Sequence, residues 1–258
     1  MTYPLLGRFC WFDLMTDDLA AGIAFYCDVV GYTPQRWAEA DYTMFSVGEQ
    51  AVGGANALDD EAKGNGARPQ WLGYIGHPDV DALAAQVRSL GGVVRAEPYD
   101  LPSVGRAAIF QDPHGAAFAG FTPTAPERID VTSQGLGHIA WRELSGDDLE
   151  ESWAFYTALF GWVSTSPDLD TGPGGGYRLY RAPGMETDLG GMSRRMPPQR
   201  RAAWTYYLTV DDLEAALERL EAAGGRLLHG PMVVPGGDRV AQCADPQGAA
   251  FALHCYAI

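Results

Sequence analysis

The sequence predicts an α+β protein made of two tandem copies of one domain, each copy holding two βαβββ units that form a curved mixed sheet around a cleft. Three observations predict it. First, DLAAGIAFYCDVVG at 18–31 and DLEESWAFYTALFG at 148–161 share Asp-Leu, Phe-Tyr and Gly at an offset of 130, and DPHGAAFA at 112–119 returns as DPQGAAFA at 245–252 at an offset of 133. A period this long means duplicated whole domains, not a solenoid. Second, strand-like runs alternate with only one helical stretch per unit, which suits mixed sheets with helices on one face and not a doubly wound parallel sheet. Third, the stretch 122–135 (TPTAPERIDVTSQG) is rich in Pro, Thr and Ser and lacks apolar periodicity, as a seam should. The domains are therefore expected at 1–124 and 136–258, joined by 125–135.

Each copy opens on a strand, FCWFDL at 9–14 and IAWREL at 139–144, rich in aromatic and branched residues. A helix follows, capped by Asp17 or Asp18. Its stripe Leu19, Ile23, Tyr26, Val30 recurs as Leu149, Trp153, Tyr156, Phe160, and Gly31 and Gly161 stand at the C-cap position. These aromatics read as core. Shorter strands are expected at 42–47 with 51–56 and at 177–182 with 189–194. Second strand–helix units follow, at 71–76 with 79–92 and at 204–210 with 212–225. Strands near 94–97, 105–111 and 116–121, and their counterparts, complete each copy.

The 258 residues carry a formal charge of −15, which argues against nucleic-acid partners and against an anionic membrane surface, both of which need clustered Lys and Arg. Cys10, Cys27, Cys243 and Cys255 form no CxxC pair, so free thiols in a reducing compartment are expected. No apolar run is long enough to span a bilayer and no leader opens the chain, so a cytoplasmic location is expected, as monomer or homodimer.

Taken in order, WFDL or WREL, then DL…FY…G, then an Asp-initiated helix ending in Gly-Gly, then GR…DP.GAAF, this set resembles the vicinal-oxygen-chelate superfamily (glyoxalase, bleomycin-resistance and extradiol-dioxygenase proteins), in its two-domain bacterial form. The ordered set occurs twice and covers nearly the whole chain. The resemblance implies paired βαβββ units curled around a small-molecule cleft, often with a divalent metal. Its metal-binding members place ligands where this chain has Trp11 and Trp141 on the first strands, Leu72 and Thr205 in the second units, and Ala119 and Ala252 after the DP.G turns. Trp, Leu and Ala offer a cation no lone pair, and a Thr hydroxyl is a poor ligand alone. No metal and no cofactor is therefore expected. His138 lies near the first-strand slot but out of phase with Trp141; His114 reads as a turn residue; His254 shares the parity of Ala250 and Ala252 and could face the cleft.

Period-2 alternation puts Trp11 with Asp13, and Trp141 with Glu143, on one strand face. If this face lines the cleft, each copy presents an indole beside a carboxylate, with Trp71, Tyr74, Phe121, Trp204, Tyr207 and His254 as further ligand-binding candidates. Three roles stay open for Asp13 and Glu143: structural pairing (with backbone amides or with Arg106 or Arg239), ligand contact, or general base. The glycine-rich loop at 171–176 and the cluster Arg194, Arg195, Arg200, Arg201 read as connectors that could touch a ligand. The expected function is metal-independent binding of an aromatic or cationic metabolite or antibiotic, sequestering or processing it. The alternative is an enzyme of the same superfamily, a lyase, isomerase or dioxygenase, with a rebuilt metal site or carboxylate acid–base chemistry.

Overall fold

The computed structural model describes residues 3–37, 42–131, 134–170, 175–197, 199 and 201–257. The first copy runs β1 (Phe9–Thr16), α1 (Leu19–Val30), β2 (Thr33–Trp37), β3 (Tyr42–Val47), β4 (Gln50–Ala57), a short α2 (Asp60–Gly64), β5 (Gln70–Gly76), α3 (Val80–Ser89), β6 (Val93–Leu101), β7 (Gly105–Gln111) and β8 (Ala117–Pro123). After a 3-10 turn at Pro126–Arg128, the second copy repeats the plan. Its elements are β9 (Ile139–Gly146), α4 (Leu149–Phe160), β10 (Val163–Ser164), β11 (Leu169–Asp170), β12 (Gly176–Arg181), β13 (Gly190–Arg194), β14 (Ala203–Thr209), α5 (Leu213–Ala222), β15 (Arg226–Val233), β16 (Arg239–Ala244) and β17 (Ala250–Cys255).

The strands form two open mixed sheets, ordered β2-β3-β4-β1-β5-β8-β7-β6 and β10-β12-β13-β9-β14-β17-β16-β15, with β11 beside β12. The β1–β4, β5–β8, β9–β13 and β14–β17 ladders are parallel and the hairpin-linked pairs antiparallel. Strand β2 completes the βαβββ unit. Its sequence, TPQRW, carries exposed polar residues and a proline, so it has no period-2 signal and fits only an edge.

The main helices begin and end as their sequences dictate. Asp18 accepts from the Ala21 amide and Asp148 from the Glu151 amide, while Gly31 (φ 87°) and Gly161 (φ 66°) take the left-handed turn that closes α1 and α4. The buried faces differ from the predicted stripes. On α1 they are Gly22, Phe25, Tyr26 and Val29, with Leu19, Ile23 and Val30 only half-buried; on α4 they are Ser152, Phe155, Tyr156, Leu159 and Phe160, with Trp153 under Arg178. The small residues Gly22 and Ser152 turn toward the sheet because the helix axis lies close there: a Cβ on Gly22 would stand 3.2 Å from Leu14 and Thr16.

The chain packs as two compact units, and neither is one sequence copy. One unit joins Met1–Trp11, Gly73–Thr132 and Trp141–Trp204; the other joins Phe12–Leu72, Ser133–Ala140 and Thr205–Ile258. Each unit therefore takes one half from each copy, and the repeated motifs meet inside it. In one unit, the Tyr26 hydroxyl reaches Asp245 Oδ2 at 3.4 Å; in the other, the Tyr156 hydroxyl reaches Asp112 Oδ2 at 3.2 Å. The second oxygen of each aspartate ties its own DP.G turn, Asp112 accepting from His114 N and Ala116 N, and Asp245 from Gln247 N and Ala249 N. The residue inside the turn clamps a helix start. Gln247 accepts from Asp17 N and Asp18 N, and His114 from Asp147 N while it faces Ser152 and Glu151. His114 and Gln247 are thus more than turn residues. They fasten α4 and α1 respectively.

Candidate functional site

The helices cover one face of each sheet, and the opposite face carries the polar chemistry. On β1, Leu14 and Thr16 lie under α1, so Trp11 and Asp13 point the other way. Asp13 is only 4 % exposed, and it is satisfied from two neighbouring strands: the Tyr42 hydroxyl donates to Oδ1 at 2.6 Å and Asn56 Nδ2 approaches Oδ2 at 3.4 Å. To reach Asp13 from β3, the Tyr42 phenol crosses β4 at Gly54, where an added Cβ would fall 1.9 Å from the phenol oxygen. The second copy repeats the device. Tyr177 of β12 crosses β13 at Gly191, where a Cβ would fall 2.1 Å from its Cζ, and donates to Glu143 Oε2 at 3.0 Å. Trp141 Nε1 in turn donates to the Tyr177 oxygen at 2.8 Å. Indole, phenol and carboxylate form one chain in which each bond polarises the next.

The six positions at which the resemblance implies metal ligands hold Trp11, Trp141, Leu72, Thr205, Ala119 and Ala252, a donor set that does not fit a chelated divalent cation. Among the described residues there is no group of three or more His, Cys, Asp or Glu side chains placed to hold one. Asp13 and Glu143 are held by tyrosines. Arg106 and Arg239 have other partners, Asp81 with Asp100 and Glu214 respectively.

The remaining predicted site residues separate into two groups. Tyr74 and Phe121 meet edge to face at 6.3 Å on the helix-free face of the first sheet; in the second sheet, Tyr207 lies beside Ala252 with Gln242 Nε2 3.4 Å from its hydroxyl. His254 shares the strand face of Ala252; its Nδ1 lies 3.3 Å from Thr209 Oγ1 and its Nε2 3.0 Å from Asp238 Oδ2. Trp71 and Trp204 lie on the opposite face, packed edge-on to Tyr26 and Tyr156 at 5.0 and 5.3 Å, because their strand parity turns them under the helices. Trp204 Nε1 donates to the Tyr156 hydroxyl at 2.9 Å. Residues 171–174, most of the glycine-rich loop, and Arg200 lie outside the described residues; Arg195 is bound to Asp147 and to the Gln199 carbonyl.

Sequence reasoning missed Tyr42, Tyr177 and Asn56. The available signal was the recurrence of a tyrosine opening one strand (42 and 177) with Gly-Gly in the next (53–54 and 190–191).

The family model for the glyoxalase/bleomycin resistance protein/dioxygenase superfamily matches twice, at residues 8–119 and 135–253. The chain belongs to that superfamily. Among its superfamily relatives, a Mycobacterium tuberculosis (strain CDC 1551 / Oshkosh) protein provisionally named glyoxylase CFP32 is 30% identical over 247 residues, covering 94% of this chain and 92% of its own. The anthracycline biosynthesis protein DauV of Streptomyces sp. (strain C5) is 31% identical over 270 residues, covering 98% and 94%. The same superfamily fold appears in the Mn(II)-bound glyoxalase from Novosphingobium aromaticivorans (TM-score 0.64, 19% identity, 97% of this chain and 82% of that one). It appears also in the 2,3-dioxygenase LapB from Pseudomonas sp. KL28 (TM-score 0.63, 14% identity, 98% and 94%). Among the described residues, no helix of this superfamily member is long and apolar enough to cross a membrane.

Proposed function

We propose that this superfamily member binds a planar aromatic small molecule on the helix-free sheet faces without a chelated metal or other cofactor. The observation that carries the reading is the donor-poor set at the six ligand slots, where only the Thr205 hydroxyl offers a lone pair, with a tyrosine–carboxylate pair built beside the first-strand slot in both copies. Partly exposed Trp11 and Trp141 offer ring faces for stacking, and the pairs offer directional polar contacts, the usual make-up of a small-molecule site. A relative named for anthracycline biosynthesis supports an aromatic ligand. The reading keeps the copies at 1–124 and 136–258, and a cytoplasmic monomer or homodimer.

A second reading, an enzyme using carboxylate acid–base chemistry, is favoured by one observation: the Tyr177–Glu143 pair could pass a proton between ligand and phenol. The test uses protein purified without chelator. Metal content is measured, and binding of hydroxylated anthraquinones is followed by quenching of tryptophan fluorescence. Binding with less than one-tenth of an equivalent of metal, weakened at least ten-fold by Gly191→Val, which displaces the Tyr177 ring, is the expected result. Stoichiometric transition metal, lost together with binding on EDTA treatment, overturns it. Conversion of the quinone that disappears in Glu143→Gln decides for the second reading.

A further inference from the structure

Away from the helix-free faces, a cavity of about 360 Å³ opens at the C-terminal end of α1, lined by Asp28, Val30, Gly31, Val47, Leu136, Gly137, Val210, Asp211 and Arg219. All of these belong to one compact unit. The duplication supplies an internal control, because the other unit contains the same corner. Where Val30 lines the cavity and Tyr32 follows it in the chain, the matching positions carry Phe160 and Trp162, both buried to within 1 %. The anchoring bond survives the exchange: Tyr32 donates its hydroxyl to the Gly137 carbonyl at 2.7 Å, and Trp162 donates its indole N–H to the matching Gly7 carbonyl at 2.7 Å. The fold is therefore satisfied by either pair, yet the smaller pair stands at the open corner.

Charge differs at the same places. Asp28, Asp211 and Arg219 correspond to Ala158, Pro78 and Gln86, so three charged residues around the space stand where the other copy has three neutral ones. The Arg219 guanidinium is spent on the helix, donating from Nη2 to the Val29 carbonyl at 3.1 Å. Neither Asp28 nor Asp211 forms an ion pair among the described residues, and both are exposed. The Arg219 bond answers the carbonyl end of α1, so the negative charge at the corner is carried by the two carboxylates. Val30, Val47, Val210 and Leu136 supply an apolar wall, with Leu136 52 % exposed.

We infer that this corner is a second binding site, one that takes a small organic cation: an ammonium group held by Asp28 and Asp211 and an apolar body against the valines and Leu136. A volume of a few hundred Å³ holds a ligand of one or two rings. The ammonium offsets two carboxylates, and an alcohol of the same shape gains only the apolar contact.

The test titrates the full chain with 2-phenylethylammonium, 2-phenylethanol and 3-phenylpropanoate by calorimetry. The ammonium is expected to bind at least ten-fold more tightly than the alcohol, with the carboxylate not binding. The double variant Asp28→Asn/Asp211→Asn should weaken the ammonium at least ten-fold. Val30→Phe, which places the larger side chain of the matching position at this corner, should remove its binding with the circular dichroism unchanged. Glu143→Gln should leave it unaltered, which separates this site from the cleft proposal. Equal affinity for alcohol and ammonium, an undiminished signal in the double variant, loss in Glu143→Gln, or no binding of the ammonium at about 10 mM, where a site with a Kd of ~1 mM is mostly filled, each overturns the inference.

Discussion

Asp112, Asp245 and Asp238 are all bonded carboxylates, and their surroundings push their acidity in opposite directions. Burial raises the pKa of Asp112 and Asp245 above the ordinary aspartate value, outweighing the amide bonds within their turns. The bond from His254 lowers that of Asp238. The raised pair contributes stability that is present at low pH and diminishes as pH rises through the folded pKa, because a protonated carboxyl escapes the cost of burying a charge. Asp238 does the reverse: its contribution is present above the unfolded aspartate pKa of ~3.9 and is lost as pH falls through the lower folded value. Its other oxygen holds the Ala257 amide, so it fastens the chain end as well. Asp238→Asn should cost about 1 kcal/mol at pH 7, a charged hydrogen bond discounted for a side chain one-third exposed. Thermal unfolding from pH 7 to 3 should show the gap between variant and parent closing below about pH 4. A gap that widens there would contradict the assignment.

Helices α1 and α4 show what patterning conveys and what it leaves out. Their caps, Asp18 with Gly31 and Asp148 with Gly161, stand where sequence places them, because capping is a local exchange between a side chain and amides three residues on. The expected stripe holds at Tyr26, Tyr156 and Phe160, and elsewhere the buried face lies one position earlier because a further neighbour acts on the helix. Phe25 is drawn against Phe251, and Phe155 against Phe118, from the opposite copy. The Tyr42–Asp13 and Tyr177–Glu143 pairs escaped for a related reason: a tyrosine two strands away reaches a carboxylate only if the intervening residue is glycine, and no periodicity records that. Tyr156→Phe and Tyr26→Phe separate local from distant support. Tyr156 bonds Asp112 and receives Trp204 Nε1, so its loss strands a buried carboxylate oxygen and an indole N–H, at about 2–4 kcal/mol. Tyr26 reaches Asp245 at the longer 3.4 Å, and its loss should cost about 1–2 kcal/mol. Urea unfolding should rank them in that order. The reverse order would show that helix docking does not run through these hydroxyls.

Two divisions of the molecule coexist, and they differ. Sequence divides it into two copies, because duplication preserved DL…FY…G and DP.GAAF in order; packing divides it into two units, each taking half of both copies. The repeat was legible since it needs only comparison of the chain with itself. The exchange of halves was not, since nothing in Tyr26 says whether Asp112 or Asp245 will meet it. The physical consequence concerns independence of folding. A fragment ending at the seam keeps Tyr26 and Phe25 but loses Asp245, Gln247 and Phe251, leaving the inner face of α1 bare and its first amides unclamped. The fragments 1–124 and 125–258, produced separately, should therefore be unfolded or self-associated, and mixing them should restore a one-to-one complex with the ellipticity of the intact chain. Sedimentation and circular dichroism of each fragment and of the mixture decide it. A fragment that unfolds cooperatively as a monomer, within a few degrees of the whole protein, would mean that the bonds between copies decorate two self-sufficient domains instead of building either unit.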